Sequence, residues 1–190
     1  MLTAFGRAFK TPDLRRKLLF TLAMIAVYRL GAHVPTPGVS YKLVQQCMEG
    51  ADTTGGFLGL ANLFSGGALL QLSIFALGIM PYITASIIVQ LLTVVIPRFE
   101  ALKKEGQAGQ TKMTQYTRYL TIGLAILQSS TLITFAQNPS QLFGNPNCTT
   151  ILTDNSIVTI LIMVLTMTAG TSMVMWLGEL VTDRGIGNGM

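Results

Sequence analysis

Few residues in this 190-residue chain have the types and spacing that chemistry on a small molecule needs. The two cysteines, Cys47 and Cys148, have no His or Cys nearby at ligand spacing, so a metal site is not expected; in an oxidising exterior they offer one disulfide at most. The lone histidine, His33, closes the first apolar stretch and reads as an interface residue rather than a proton relay. Arg184-Gly185-Ile186-Gly187-Asn188-Gly189 has the look of a nucleotide loop, but no strand precedes it and no Lys follows, so helix termination and a tight turn are the better reading. Lys103 and Lys104 carry charge for RNA or anionic lipid, yet retention of a loop on the cytoplasmic side already accounts for them. Glu179 and Asp183 stand at the end of an apolar stretch and no carboxylate falls inside one, which weighs against an ion-coupled pump. No catalytic residue, metal or cofactor is expected, and the chain does not read as an enzyme.

What remains is the chemistry of apolar surface. Ile79, Ile83 and Ile87 repeat every four residues and form one ridge on a helix. Branched apolar side chains in a ring close a pore by dewetting it, without charge; contact with lipid is the plainer use of the same ridge. Around it, Thr84 and Gln90 can hydrogen-bond across helices, and Gly78, Ala85 and Ser86 allow close approach.

The elements that must position this ridge follow from composition. Half of the residues are hydrophobic and 11% are charged, with a net charge of +5, which excludes a soluble enzyme, a disordered chain and a disulfide scaffold. Thirteen Lys and Arg cluster: five lie before Leu18, five run from Arg98 to Arg118, and the others are Arg29, Lys42 and Arg184. Between the clusters no charge occurs over 53–97, 119–153 or 155–178. Spans of roughly 20 apolar residues are expected over 18–34, 72–96, 119–137 and 157–178. Thr11, Pro12 and Asp13 mark a helix start, and Pro35, Pro37 and Gly38 its end. A cleaved signal peptide is the alternative for the first span, but Arg29 and the prolines make a poor cleavage region and three more spans follow. Short loops rich in Lys and Arg stay in the cytoplasm. Segment 1–17, the loop 97–118 and the end 179–190 are therefore expected on the cytoplasmic side, and the loops 35–71 and 138–156 outside.

The uncharged stretch 53–97 is too long for one crossing: 45 residues as a single helix run about 68 Å, over twice the hydrocarbon thickness. Its surplus, GGFLGLANLFSGGALLQ over 55–71, is apolar, bracketed by glycine pairs and too short to cross. Such a piece lies in the interface as an anchor helix, folds into protein, or re-enters the membrane inside a cavity as a movable gate. Pro81 is expected to kink or weaken the following helix, and Arg29, the one charge at depth, to snorkel outward.

Several stretches resemble one family. GIMPYITASIIVQLL over 78–92 and WLGELVTDRGIGNG over 176–189 look like the two signature stretches of the SecY family, whose members are the central subunit of the bacterial protein-translocation channel. NLFSGGAL, KKEGQAGQTKMTQYTRY and the order of spans agree with it, so that the likeness covers essentially the whole sequence. It implies an all-α integral membrane fold: four transmembrane helices plus a short re-entrant plug helix over 57–67, half of an inverted-repeat ten-span channel, with the sequence stopping where a fifth span would begin. The resemblance further implies a pore ring with Ile79, Ile83 and Ile87, a plug with Phe57, Leu60, Asn62, Phe64, Ser65, Gly66 and Gly67, and a lateral gate with Thr84, Gln90 and Gln128. The implied function is passage of unfolded secretory polypeptides across the bacterial plasma membrane and sideways release of membrane segments, with the N-terminus cytoplasmic. The implied partners are SecE and SecG, the SecA motor ATPase or the ribosome, signal peptides and nascent chains, the lipid bilayer, and the remaining half of the same protein. Two other readings of the residues stay open at this point: half of an inverted-repeat solute transporter, and a non-conducting scaffold.

Overall fold

The structure, a computed structural model, describes residues 11–49, 62, 63, 65–139 and 151–185. Six helices are named in chain order: α1 Pro12–Ala32, α2 Tyr41–Glu49, α3 Met80–Val95, α4 Pro97–Lys104, α5 Gln107–Gln137 and α6 Ile157–Arg184. Among the described residues there is no strand; two isolated bridges, Pro35 with Ser73 and Val39 with Leu152, tie the irregular segments together.

The ends of α1 are written in the sequence. Pro12 occupies its first turn with Asp13, Arg29 lies in its last turn, and His33 caps it. The fixed φ of proline suits a first helical turn, and the charges complement the helix dipole. Pro97 likewise separates α3 from α4, since Ile96 before it is extended and the two axes meet at 100°. Among the described residues, α5 and α6 are long and apolar enough to cross a membrane, and α3 with α4 qualifies only if the bent pair is one span. α1 carries Asp13, Arg15, Arg16, Lys17 and Arg29 along its 21 residues, which shortens its apolar part.

Helix α5 is the centre of the packing, with α3 on one side and α6 on the other, while α1 packs on α6. Its buried stripe repeats every fourth residue through Thr117, Thr121, Ala125, Ser129 and Ile133. The hydroxyls of Thr117 and Thr121 donate to the carbonyls of Met113 and Thr117, one turn back, and that of Ser129 donates to Ile126. Small side chains whose polar atoms are satisfied inside their own helix let neighbouring backbones approach closely. At the end of the bundle opposite α4, Leu72, Ile133, Ile151, Met163 and Met167 are completely buried together with Val44 of α2. Cys47, on the same short helix, is 8% exposed and disulfide-bonded; Cys148, the other cysteine of the sequence, lies outside the described residues.

Two expectations change. Pro81 does not kink the middle of a helix, because α3 starts at Met80 and Pro81 sits in its first turn, where its missing N–H costs no bond. The residues before it, 65–79, form a succession of turns, with positive φ at Gly66, Gly67, Leu72 and Gly78. These positions interrupt any helix that starts upstream. Arg29 does not snorkel away but turns to this segment, donating a hydrogen bond to the Gly66 carbonyl at 3.1 Å.

The turns press against α6. A Cβ at Gly170 would fall on the Ile74 carbonyl oxygen, so only glycine permits this approach of two backbones. Gly170→Val is predicted to force α6 away from the turns and destabilise the chain by about 1–3 kcal/mol. A drop in the thermal midpoint of the detergent-solubilised full chain checks this, and a midpoint equal to the parent's would refute it.

Candidate functional site

The site is built on α3 and the turns that feed it. Pro81, Ala85 and Val89, with Tyr82 and Thr93, are the buried residues of α3 and face its neighbours. Ile79, Ile83 and Ile87 each precede a member of the Pro81–Ala85–Val89 series by two residues, roughly 200° round the helix. The isoleucine ridge therefore stands on the side of α3 away from its own packing stripe. Ile79 and Ile83 are half-buried, and Ile87 is 51% exposed.

The three polar residues assigned to a gate do not share one cleft. The Thr84 hydroxyl is taken up within the helix, donating to the Met80 carbonyl at 3.0 Å. Gln90 lines a cleft of about 450 Å³ between α3, α4 and α5, shared with Thr93, Lys103, Gln110 and Thr117, whereas Thr84 and Gln128 do not line it. Gln128 is half-buried on α5.

Of the residues assigned to a plug, Phe57, Leu60 and Phe64 lie outside the described residues. Asn62, Ser65, Gly66 and Gly67 form a compact hydrogen-bonded turn. The Asn62 side-chain oxygen accepts the Leu70 N–H at 3.2 Å, and its carbonyl accepts both the Ser65 hydroxyl at 3.0 Å and the Gly67 N–H at 2.9 Å. The Leu69 N–H donates to the Ser65 hydroxyl oxygen at 3.0 Å. From α1, the Tyr28 hydroxyl donates to the Ser65 carbonyl at 2.9 Å, alongside the Arg29 bond to Gly66. Irregular backbone in an apolar setting demands such partners for each N–H and C=O.

The chain belongs to the SecY family. The model of that family matches residues 73–190, which takes in α3 with its ridge and both signature stretches. Over its whole length the chain is 70% identical to the protein translocase subunit SecY of Streptomyces griseus, 66% to that of Streptomyces coelicolor and 60% to that of Mycobacterium tuberculosis. It spans 43%, 44% and 43% of those three proteins, respectively. As a SecY-family chain it is an all-helical membrane protein, and its relatives are by name subunits of a translocase.

One feature of the second SecY-like stretch escaped the sequence reading. Glu179, near the C-terminal end of α6, accepts two hydrogen bonds from Arg118 of α5, from Nε at 2.9 Å and from Nη2 at 2.6 Å. The Glu179 side chain is 16% exposed and that of Arg118 49% exposed. The bond to the carboxylate holds the Arg118 guanidinium even more firmly in its charged form than usual. The fork-on-carboxylate geometry ties α5, eleven residues past its start, to the last two turns of α6 and neutralises both groups. The sequence did not single the pair out, because Arg118 is one of five basic residues over 98–118 and Glu179 has Asp183 four residues on.

A double-mutant cycle on Arg118→Ala and Glu179→Ala is predicted to give a coupling free energy of about 1 kcal/mol, more than most exposed pairs show because the carboxylate is sheltered. Thermal denaturation of the four proteins measures it, and strict additivity would show the pair to be ornamental.

Proposed function

We propose that this chain is the N-terminal part of a protein-conducting channel, one that passes unfolded secretory polypeptides across the bacterial plasma membrane and lets membrane segments leave sideways. The observation that carries this reading is the isoleucine ridge of α3. Ile79, Ile83 and Ile87 point away from the stripe that holds α3 to its neighbours, and they begin where a hydrogen-bonded turn ends. A helix that served only as a packing or lipid-facing element has no need of a broken, polar-satisfied entrance at that position.

In this reading the ridge is one arc of a collar. Its branched side chains pinch the path closed by dewetting when it is empty and touch a threading polypeptide without binding it strongly. The segment 57–67 is the plug, and its base is the turn at Asn62, Ser65, Gly66 and Gly67. Thr84, Gln90 and Gln128 stand along the lateral gate, where a segment of about 20 apolar residues leaves for lipid because it is better solvated there. The other arc of the collar and the other wall of the gate belong to the rest of the SecY protein. No bond of the substrate is made or broken; the work comes from the SecA ATPase or the ribosome, and SecE and SecG complete the assembly. The N-terminus and the loop 97–118 lie in the cytoplasm, as their Lys and Arg favour.

Ile83→Asn in the assembled translocase is predicted to raise resting ion conductance and to allow export of precursors with defective signal sequences. Unchanged conductance and selection across Asn substitutions at all three isoleucines would refute the collar. For orientation, a cysteine at Lys103 is expected to react with a membrane-impermeant maleimide only from the cytoplasmic side and one at Lys42 only from outside. The reverse pattern would overturn the topology.

A further inference from the structure

The cleft of about 450 Å³ between α3, α4 and α5 has a buried floor and a polar mouth. Of the residues that line it, Tyr82 and Thr117 are buried, Ser86 is half-buried, and Gln90, Lys103 and Gln110 are exposed. The Thr117 hydroxyl is used inside α5. Tyr82 is 8% exposed, and its hydroxyl has no hydrogen-bond partner among the described residues; nor have the Ser86 hydroxyl and the side-chain amides of Gln90 and Gln110. Among the described residues, Lys103 is also the lysine of the α4–α5 hairpin without an acid beside it. Lys104 meets Glu100 at 2.8 Å and Lys112 meets Glu105 at 3.7 Å. No carboxylate lines the cleft. Retention of the loop on one side of the membrane accounts for positive charge, but not for an unpaired ammonium beside open hydroxyls and amides. The cleft also lies where apolar surface gives way to charge. Leu91, Val94 and Val95 near the end of α3 are exposed, and the chain then turns through 100° into α4 with its Glu100, Lys103 and Lys104.

We propose that this cleft binds the headgroup of one anionic phospholipid, a phosphodiester that carries a polyol such as glycerol or inositol. Lys103 is a point charge for the phosphate. Tyr82, Ser86, Gln90 and Gln110 can each donate and accept a hydrogen bond, as the hydroxyls of a polyol do. A headgroup that ends in an ammonium finds no carboxylate here and is repelled by Lys103. The volume falls among those of small-molecule sites, so it admits the polyol together with the phosphate. The exposed Leu91, Val94 and Val95 give the acyl chains an apolar surface next to the head. The site rests on the cleft and on the chain's place in a family of helical membrane proteins, and stands whether or not the chain conducts polypeptides.

The test is native mass spectrometry of the full chain in the assembled translocase. The complex is released from phosphatidylcholine nanodiscs doped with equal small fractions of phosphatidylinositol, phosphatidylglycerol and phosphatidylserine. The parent is expected to retain one phosphatidylinositol or phosphatidylglycerol, about fivefold in preference to phosphatidylserine. Lys103→Gln is expected to lower that occupancy about tenfold. Lys104→Gln, an equal loss of charge outside the cleft, is expected to leave it at the parent's level. Gln90→Leu combined with Gln110→Leu is expected to keep an anionic lipid and erase the preference over phosphatidylserine. Equal losses from Lys103→Gln and Lys104→Gln would mean diffuse attraction and overturn the site. Phosphatidylserine retained as well as the polyol lipids by the parent would overturn the assignment of the headgroup. Displacement of the bound lipid by an equal concentration of soluble glycerophosphoinositol would make the ligand a free phosphodiester and overturn the lipid.

Discussion

Backbone hydrogen bonding without water is the constraint from which the rest of this structure follows. A helix satisfies its own N–H and C=O groups, but the chain here leaves helical geometry for the fifteen residues 65–79, in a protein built to lie in lipid, where an unmet peptide group costs several kcal/mol. The Leu72 carbonyl accepts both the N–H and the hydroxyl of Thr36, at 3.1 Å and 2.8 Å. The Ile74 N–H donates to the Val34 carbonyl at 3.0 Å, and Tyr28 and Arg29 take the carbonyls of Ser65 and Gly66. These bonds come from α1 and from the residues just after it. The first helix is thus held beside the irregular segment by the segment's own unsatisfied groups, although most of its side chains remain exposed.

The phase of the ridge depends on where the irregular segment ends. Because α3 begins at Met80 with Ile79 as its cap, the buried series Pro81, Ala85, Val89 meets the small-residue stripe of α5, and the isoleucines are carried round to the other side. A start one residue earlier or later would rotate the whole set by about 100° and put Gly78, Tyr82 and Ser86, or Met80, Thr84 and Ile88, where the isoleucines stand. Gly78, with positive φ immediately upstream, and Pro81, which tolerates only the first turn, fix that start from both directions.

Much of this was legible before the structure. Composition and charge spacing give the helical membrane class, the prolines give the ends of α1, and the fourfold repeat of isoleucine gives the ridge, whereas 97–118 reads as a loop and holds α4 and the start of α5. The length of the uncharged stretch 53–97 signals that a plain crossing cannot account for it. What the sequence hid was the local conformation of that stretch. A run such as SIFALGIMPYI has helical propensity throughout apart from its glycine and proline, and Leu72 at φ +47° announces itself by no residue type at all. It holds because its side chain is completely buried and its carbonyl doubly bonded, a tertiary override of local preference. The partners of Arg29 and Arg118 were hidden for the same reason. Charge position on a chain predicts a side of the membrane, whereas the choice between solvent, lipid headgroup and a specific carbonyl or carboxylate is made by packing.

The division between α-helical stripes and hydrogen-bonded turn also decides which part of the molecule can move. The buried faces of α3 and α5, which pack together, are rich in small residues, alanine, threonine and serine, with hydroxyls already satisfied inside their helices. Sliding such surfaces loses close contact at many atoms at once and gains no polar partner in return. The turn of Asn62 and residues 65–70 is held instead by a handful of directional bonds, each worth about 1 kcal/mol net and each replaceable by water. A rigid helical hairpin that carries an apolar ridge, joined to a segment whose attachments exchange with solvent, separates the part that keeps its shape from the part that yields.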